Sequence, residues 1–154
     1  MRLITYYLLL ITYGLWLVAC GNEEKPSPSN ESTMIDATGE AIALLPLPSK
    51  IVSFAPSITQ AIYSLGEQGK LIGVTRYCKL PAGETKQRIG NLLTQDIEQI
   101  ILLHPDLVLA TKEGNQPEFA SKLRKLGVHV FVLPEANSRA DIQSAFQQTG
   151  RLLG

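Results

Sequence analysis

Apolar and polar positions along the chain alternate between a period near two and a period near 3.6, and the switches between them mark out successive strands and helices. Residues 35–47 read as two short extended pieces around Ala37-Thr38-Gly39-Glu40, where Gly39 supplies the positive φ of a tight turn, so a hairpin is predicted. Residues 50–54 are a β-branched strand, broken by Ala55-Pro56-Ser57 before a helix begins. Ser57 with Gln60 three residues later fits a capping box, Ile58, Ala61, Ile62 and Leu65 keep helical spacing, and Gly66 ends the run. A second strand is predicted over 71–75, then a loop over 76–88 bearing proline and lysine. Thr94 or Asp96 opens a helix that continues to Leu103 and is stopped by Pro105. Residues 106–110 form a third strand, Phe119, Leu123 and Leu126 mark a helix ended by Gly127, residues 128–133 form a fourth strand, and 140–153 are helical.

Strands alternating with helices of about ten residues require crossover connections, which place the strands parallel in one sheet. The continuous hydrophobicity of the third and fourth strands is the pattern of a sheet covered on both faces. The predicted class is therefore α/β, with a mostly parallel four-stranded sheet plus an N-terminal hairpin. In such sheets ligands sit outside the carboxyl ends of the strands. That rule nominates the loops starting at Ala55, Arg76, Thr111 and Pro134.

The N-terminus follows a different logic. Behind the cation Arg2, residues 3–19 carry no charge, and the run closes on Leu17-Val18-Ala19-Cys20-Gly21. This looks like a bacterial lipobox: an aliphatic residue, a small residue just before the cut, then cysteine. Residues 1–19 are predicted to be a signal peptide and Cys20 a lipidated N-terminus, because only a thiol forms the stable thioether to a diacylglyceryl group. Two or more acyl chains hold a protein on a membrane, each buried methylene contributing about 0.8 kcal/mol. An uncleaved span with a coincidental cysteine is the alternative, and the run is at the short end of the roughly 17 to 25 residues that a span needs. Residues 20–34 are polar and proline-bearing and are predicted to be a flexible tether, leaving 35–154 as the folded domain.

Composition narrows the function. Of 154 residues 45% are hydrophobic, and 14 basic side chains balance 14 acidic ones, so no general field attracts nucleic acid or acidic lipid. Cys20, Cys78, His104 and His129 show no zinc or disulfide spacing, and no metal site or resident cofactor is predicted. The turn after the first strand reads Ala-Pro-Ser rather than a glycine-rich fingerprint, which removes dinucleotide binding. No G-x-S-x-G elbow or H-E-x-x-H helix occurs, so catalysis lacks its parts and no enzyme is predicted. His104 at a helix end suits the terminal carbonyls, His129 reads as a half-buried strand spacer, and Cys78 reads as a structural thiol.

The segments Ile51-Val52-Ser53-Phe54-Ala55-Pro56-Ser57-Ile58-Thr59-Gln60 and Leu71-Ile72-Gly73-Val74-Thr75-Arg76-Tyr77-Cys78 resemble the iron-siderophore and cobalamin class of extracytoplasmic solute-binding proteins of ABC importers. Asp96-Ile97-Glu98-Gln99-Ile100 and His104-Pro105-Asp106-Leu107-Val108-Leu109 continue the match in order and spacing. The resemblance runs from about Ile35 to the last residue, and it implies one Rossmann-like lobe of a receptor whose two lobes close on a ligand. The connecting helix and second lobe of such receptors are not found after Gly154, so a single lobe is expected.

The same resemblance carries over to individual positions. Tyr77 matches an aromatic that packs on the corrin ring in cobalamin receptors. Leu92 and Thr111 fall where those receptors place tryptophans, which leaves a ferric siderophore, haem or related chelate as open as cobalamin. Pro56 and Ser57 line the first strand-end turn, Gly114 and Asn115 the third strand-end loop, and Arg76 is placed to pair with an anionic chelate or to remain solvated. Glu98 matches the lobe-surface glutamate that docks on permease arginines, and in the first turn of a helix it also favours the dipole. The resulting expectation is a lipid-anchored, non-enzymatic receptor on the outer face of a bacterial membrane. It would capture a metal chelate or corrinoid and deliver it to a permease and its ATPase. The competing expectation is a truncated, transport-inactive surface interaction module with the same fold.

Overall fold

The computed structural model describes residues 33–43, 46–90, 96–112 and 117–154. The predicted signal peptide, Cys20, all of the tether before Thr33, Leu92, Thr94, Gly114 and Asn115 lie outside the described residues. The predicted hairpin forms from β1 (Thr33–Ile35) and β2 (Ala41–Ala43), antiparallel with Met34 opposite Ile42. Its turn is set by Asp36, whose Oδ1 accepts hydrogen bonds from the backbone N–H of Thr38 and Glu40 and from the Thr38 hydroxyl. Gly39 takes φ 85°, a conformation costly for any residue with a Cβ.

Five parallel strands make the main sheet: β3 (Ile51–Ser53), β4 (Leu71–Val74), β5 (Gln87–Arg88), β6 (Leu107–Thr111) and β7 (Val130–Leu133), in the order β5-β4-β3-β6-β7. The sequence predicted four. The additional strand is β5, two exposed polar residues at the sheet edge inside the segment read as a loop, where neither face is buried enough to demand an apolar pattern. Strand β7 begins at Val130, so His129 lies exposed just before it rather than half-buried within it.

Successive residues of each strand go to opposite faces. Ile51, Leu71, Leu107, Leu109, Phe131 and Leu133 pack on one face, against Ile58 and Ile62 of α1 (Pro56–Ser64) and Leu152 and Leu153 of α4 (Arg139–Leu153). Val52, Val108, Ala110, Val130 and Val132 pack on the other. There they meet Ile100 of α2 (Ile97–Leu102) and Phe119, Ala120 and Leu123 of α3 (Pro117–Lys125). The sheet is thus wound with helices on both sides, which is why β6 and β7 are apolar throughout. On the second face the Phe54 and Phe119 rings meet with centroids 4.6 Å apart and planes at 53°, a tilted aromatic pair.

The helix starts follow two different rules. Helix α1 begins at Pro56, with Ala55 as its N-cap and no side-chain cap; Ser57 lies inside the first turn, so the expected capping box does not form. Proline's fixed φ and missing N–H suit the first helical position, and they set the boundary one residue ahead of the serine. Helix α2 does start at Asp96, whose carboxylate accepts from Gln99 N at 3.1 Å, and Ser138 caps α4 by accepting from Asp141 N. Gly66 and Gly127, each with positive φ, end α1 and α3.

Candidate functional site

All five strands run the same way, so the turns that leave their carboxyl ends share one rim. The connections from β3 and from β6 set out to opposite sides of the sheet, and the crevice outside these two strand ends is the topological switch point where α/β folds place ligands. A cavity of about 460 Å3 opens there. Its upper wall is Ala55, Pro56 and Ser57 after β3, Thr111 at the end of β6, and Leu133 and Pro134 at the end of β7. Three of the residues singled out from sequence, Pro56, Ser57 and Thr111, are therefore brought together.

Arg76 and Tyr77 sit on the neighbouring turn after β4 and do not line that cavity. Both are exposed, with Tyr77 keeping 59% of its surface in solvent. The turn beneath them is held firmly. Cys78 N–H donates to Thr75 O at 3.1 Å, and Arg88 of β5 sends one guanidinium nitrogen to both Thr75 O at 2.9 Å and Cys78 O at 2.7 Å. Below lies a buried polar cluster: Ser53 and Thr59 share a 2.8 Å hydroxyl contact, and the Cys78 thiol is 3.2 Å from the hydroxyls of both Thr59 and Thr75. These groups tie the first turn of α1 to the turn of Arg76 and Tyr77, so two rim segments are fixed relative to each other.

The outer part of the same loop is pinned to α1 and to the turn that follows it. Tyr63 of α1 donates its phenol to the Glu84 carboxylate, and Lys86 Nζ donates to Gln68 O at 2.9 Å. Burial, then the Glu84 hydrogen bond and charge, push the Tyr63 phenol up to about 12, so it stays protonated as a donor. Sequence reasoning did not find this support. Arg88 and Thr59 are polar residues in a strand and a helix, and no local motif distinguishes them from surface residues.

Glu98 is exposed in the first turn of α2, on the opposite face of the sheet from α1. Cys78 is buried and free, and among the described residues no group of three or more His, Cys, Asp and Glu side chains gathers to hold a metal ion. No helix among the described residues is long and apolar enough to cross a membrane.

A doubly wound parallel sheet with a cavity at the carboxyl ends of β3, β6 and β7 is the architecture of an α/β binding lobe. The family model described as periplasmic binding protein matches residues 51–154, and the chain belongs to that family. It is 29% identical to an ABC transporter substrate-binding lipoprotein of Bacillus subtilis, over 94% of this chain and 49% of that one. It is 38% identical to the vitamin B12-binding protein of Vibrio cholerae, over 56% of this chain and 32% of that one. A periplasmic haem-binding protein from Pseudomonas aeruginosa superposes with a TM-score of 0.65 at 28% identity, covering 70% of this chain and 39% of that one. The chain thus spans about half or less of the length of the relatives it matches.

Proposed function

We propose that this chain is the ligand-receiving lobe of a lipid-anchored substrate-binding protein that captures a metal chelate and delivers it to an ABC permease. The observation that carries the reading is the single rim. Pro56, Ser57 and Thr111 meet at the switch-point cavity, and an exposed tyrosine beside an arginine stands on the adjoining rigid turn. A flat aromatic offers stacking area to a macrocycle or an aromatic chelator, and Arg76 offers a cation to the carboxylates that such ligands carry. The family, and the haem and vitamin B12 proteins that resemble the chain, support a chelate of this kind. Glu98 would meet arginines of the permease, contributing register and association rate more than affinity. Cys20 would carry the lipid that keeps the lobe at the outer membrane face, and the role is transport rather than catalysis.

The test is a spectroscopic titration of the full chain with ferric protoporphyrin, cyanocobalamin and ferric citrate. One of the three should bind saturably, and Tyr77→Ala should weaken it about tenfold, the ~1.4 kcal/mol expected from one lost ring contact. Absence of saturable binding to any of them, or binding indifferent to both Tyr77→Ala and Arg76→Ala, defeats the proposal.

A further inference from the structure

The switch-point cavity does not stop at the rim. It runs down between α1 and α4, past Ala61 on one side and Ile142, Ala145 and Phe146 on the other. Beyond its foot the helices draw close enough that a Cβ added at Gly150 of α4 would lie 3.8 Å from a methyl of Leu65, the residue that ends α1. Above that approach the small side chains of Ala61 on α1 and Ala145 on α4 line the open space.

Two features distinguish this groove from an ordinary seam between helices. First, among the described residues none that lines it is Asp, Glu, Lys, Arg or His. Its polar side chains are hydroxyls and one amide, and the deepest hydroxyl, on the buried Thr149, already donates to Ala145 O at 2.8 Å. Second, the apolar face that anchors α4 through Leu152 and Leu153 continues toward its N-terminus as Ile142, Ala145 and Phe146, but there it is left uncovered, with Ile142 and Phe146 keeping 58% and 40% of their surface exposed. Large apolar side chains flanking a concavity of this size are characteristic of small-molecule sites, which span about 300–1,000 Å3.

We propose that the α1–α4 groove is a ligand compartment for an uncharged, mainly hydrocarbon group, the apolar edge or appendage of the chelate held at the rim. This rests on the receptor reading above and extends it to the ligand's chemistry. Continuity is the argument for the occupant, because Pro56, Ser57 and Thr111 form the upper wall of this same cavity. A bound molecule on Tyr77 and Arg76 would place its polar, anionic side on that turn. Its hydrocarbon side would go into the groove, where no cation is among the described lining residues and burial of apolar surface is the main attraction. A compact hydrophilic chelate such as ferric citrate leaves the groove unfilled and binds more weakly than a chelate with a hydrocarbon edge.

The experiment uses the full chain and two probes that share one ring skeleton, uncharged N-phenylnaphthylamine and its sulfonated analogue anilinonaphthalene sulfonate. Fluorescence titration should show saturable binding of the neutral probe, at least about tenfold tighter than the sulfonate. Ala61→Phe, which fills the groove, and Phe146→Asp, which charges it, should each weaken the neutral probe about tenfold or more while thermal melting confirms folding. Comparison with the parent chain removes any binding to the apolar N-terminal run, and Ala145→Phe replaces either variant that fails to fold. Equal binding by parent and variants, or equal affinity for both probes, overturns the proposal. Displacement of the probe by whichever chelate binds supports a shared site. A chelate that binds without displacing it overturns this inference and leaves the receptor reading standing, whereas a groove-bound probe with no chelate binding overturns the receptor reading itself.

Discussion

Removing the Asp36 carboxylate tests how the hairpin holds the far edge of the sheet. The Asp36 side chain has no solvent exposure; its Oδ2 accepts from Val132 N at 3.1 Å and from the Arg124 guanidinium, and Ala37 N donates to Val132 O at 2.8 Å. The hairpin thereby covers the open edge of β7, whose carboxyl end supplies Leu133 to the cavity. Asp36→Ala leaves the buried Val132 N–H without its acceptor and Arg124 without its anion. Breaking a buried pair from one side costs about 3–5 kcal/mol. Arg124 keeps 20% of its side chain exposed and a 2.8 Å bond to Val130 O, which softens the loss and places the expected cost near 3 kcal/mol. Chemical denaturation followed by circular dichroism should show that difference, with melting lowered by about 10 °C.

The acid dependence of the same group has a definite sign. Burial alone would raise the Asp36 pKa, but hydrogen bonds from Thr38, Glu40 and Val132 outweigh it and hold the carboxyl below its ordinary value. A depressed folded pKa contributes stability that is fully present above the unfolded value of about 3.9 and is lost as pH falls through the folded value. The gap between parent and Asp36→Asn should therefore narrow only below about pH 4. A cost under about 1 kcal/mol for Asp36→Ala, or a gap that closes at neutral pH, would refute the clamp.

Other outcomes follow from the same contacts. Thr59→Val removes the hydroxyl that joins Ser53 to Cys78 while keeping the shape; it should cost about 1 kcal/mol in unfolding and also weaken chelate binding, and Thr59→Ser should restore the binding. Gly73→Ala would place a Cβ 3.0 Å from a Leu103 methyl and 3.2 Å from a Val52 methyl, so denaturation should show a loss of about 1–2 kcal/mol from overpacking. Cys20→Ser should move the protein from the membrane fraction to the soluble fraction, with the lipid mass absent from the N-terminal peptide.

Legibility in the sequence tracked burial. Strands β6 and β7 were apparent because both faces of each are covered, Gly39 takes the positive φ expected of it, and Gly66 and Gly127 end their helices as expected. Strand β5 was not, since two polar residues on an exposed edge obey no burial pattern. At α1 the capping signal of Ser57 competed with proline's preference for the first helical turn, and the backbone constraint of Pro56 won. That Pro56, Ser57 and Thr111 line one cavity was foreseeable because strand-end turns of a parallel sheet share a rim. The groove wall on α4 was not recovered, although Ile142, Ala145 and Phe146 repeat at i, i+3 and i+4. The stripe resembles any core-facing stripe until its partner helix is known. Arg88 and Thr59 act across separations of 10 to 19 residues, beyond the reach of local pattern.

The central claim is that ligand is received at the carboxyl-end rim, and a backbone amide exchange footprint addresses it directly. On addition of whichever chelate binds, slowed exchange should appear at Ser57, Arg76, Tyr77 and Thr111, with the amino-end segments at Ser49, Lys50 and Asp106 unchanged. Protection confined to those amino-end segments, or to the hairpin, would contradict the account.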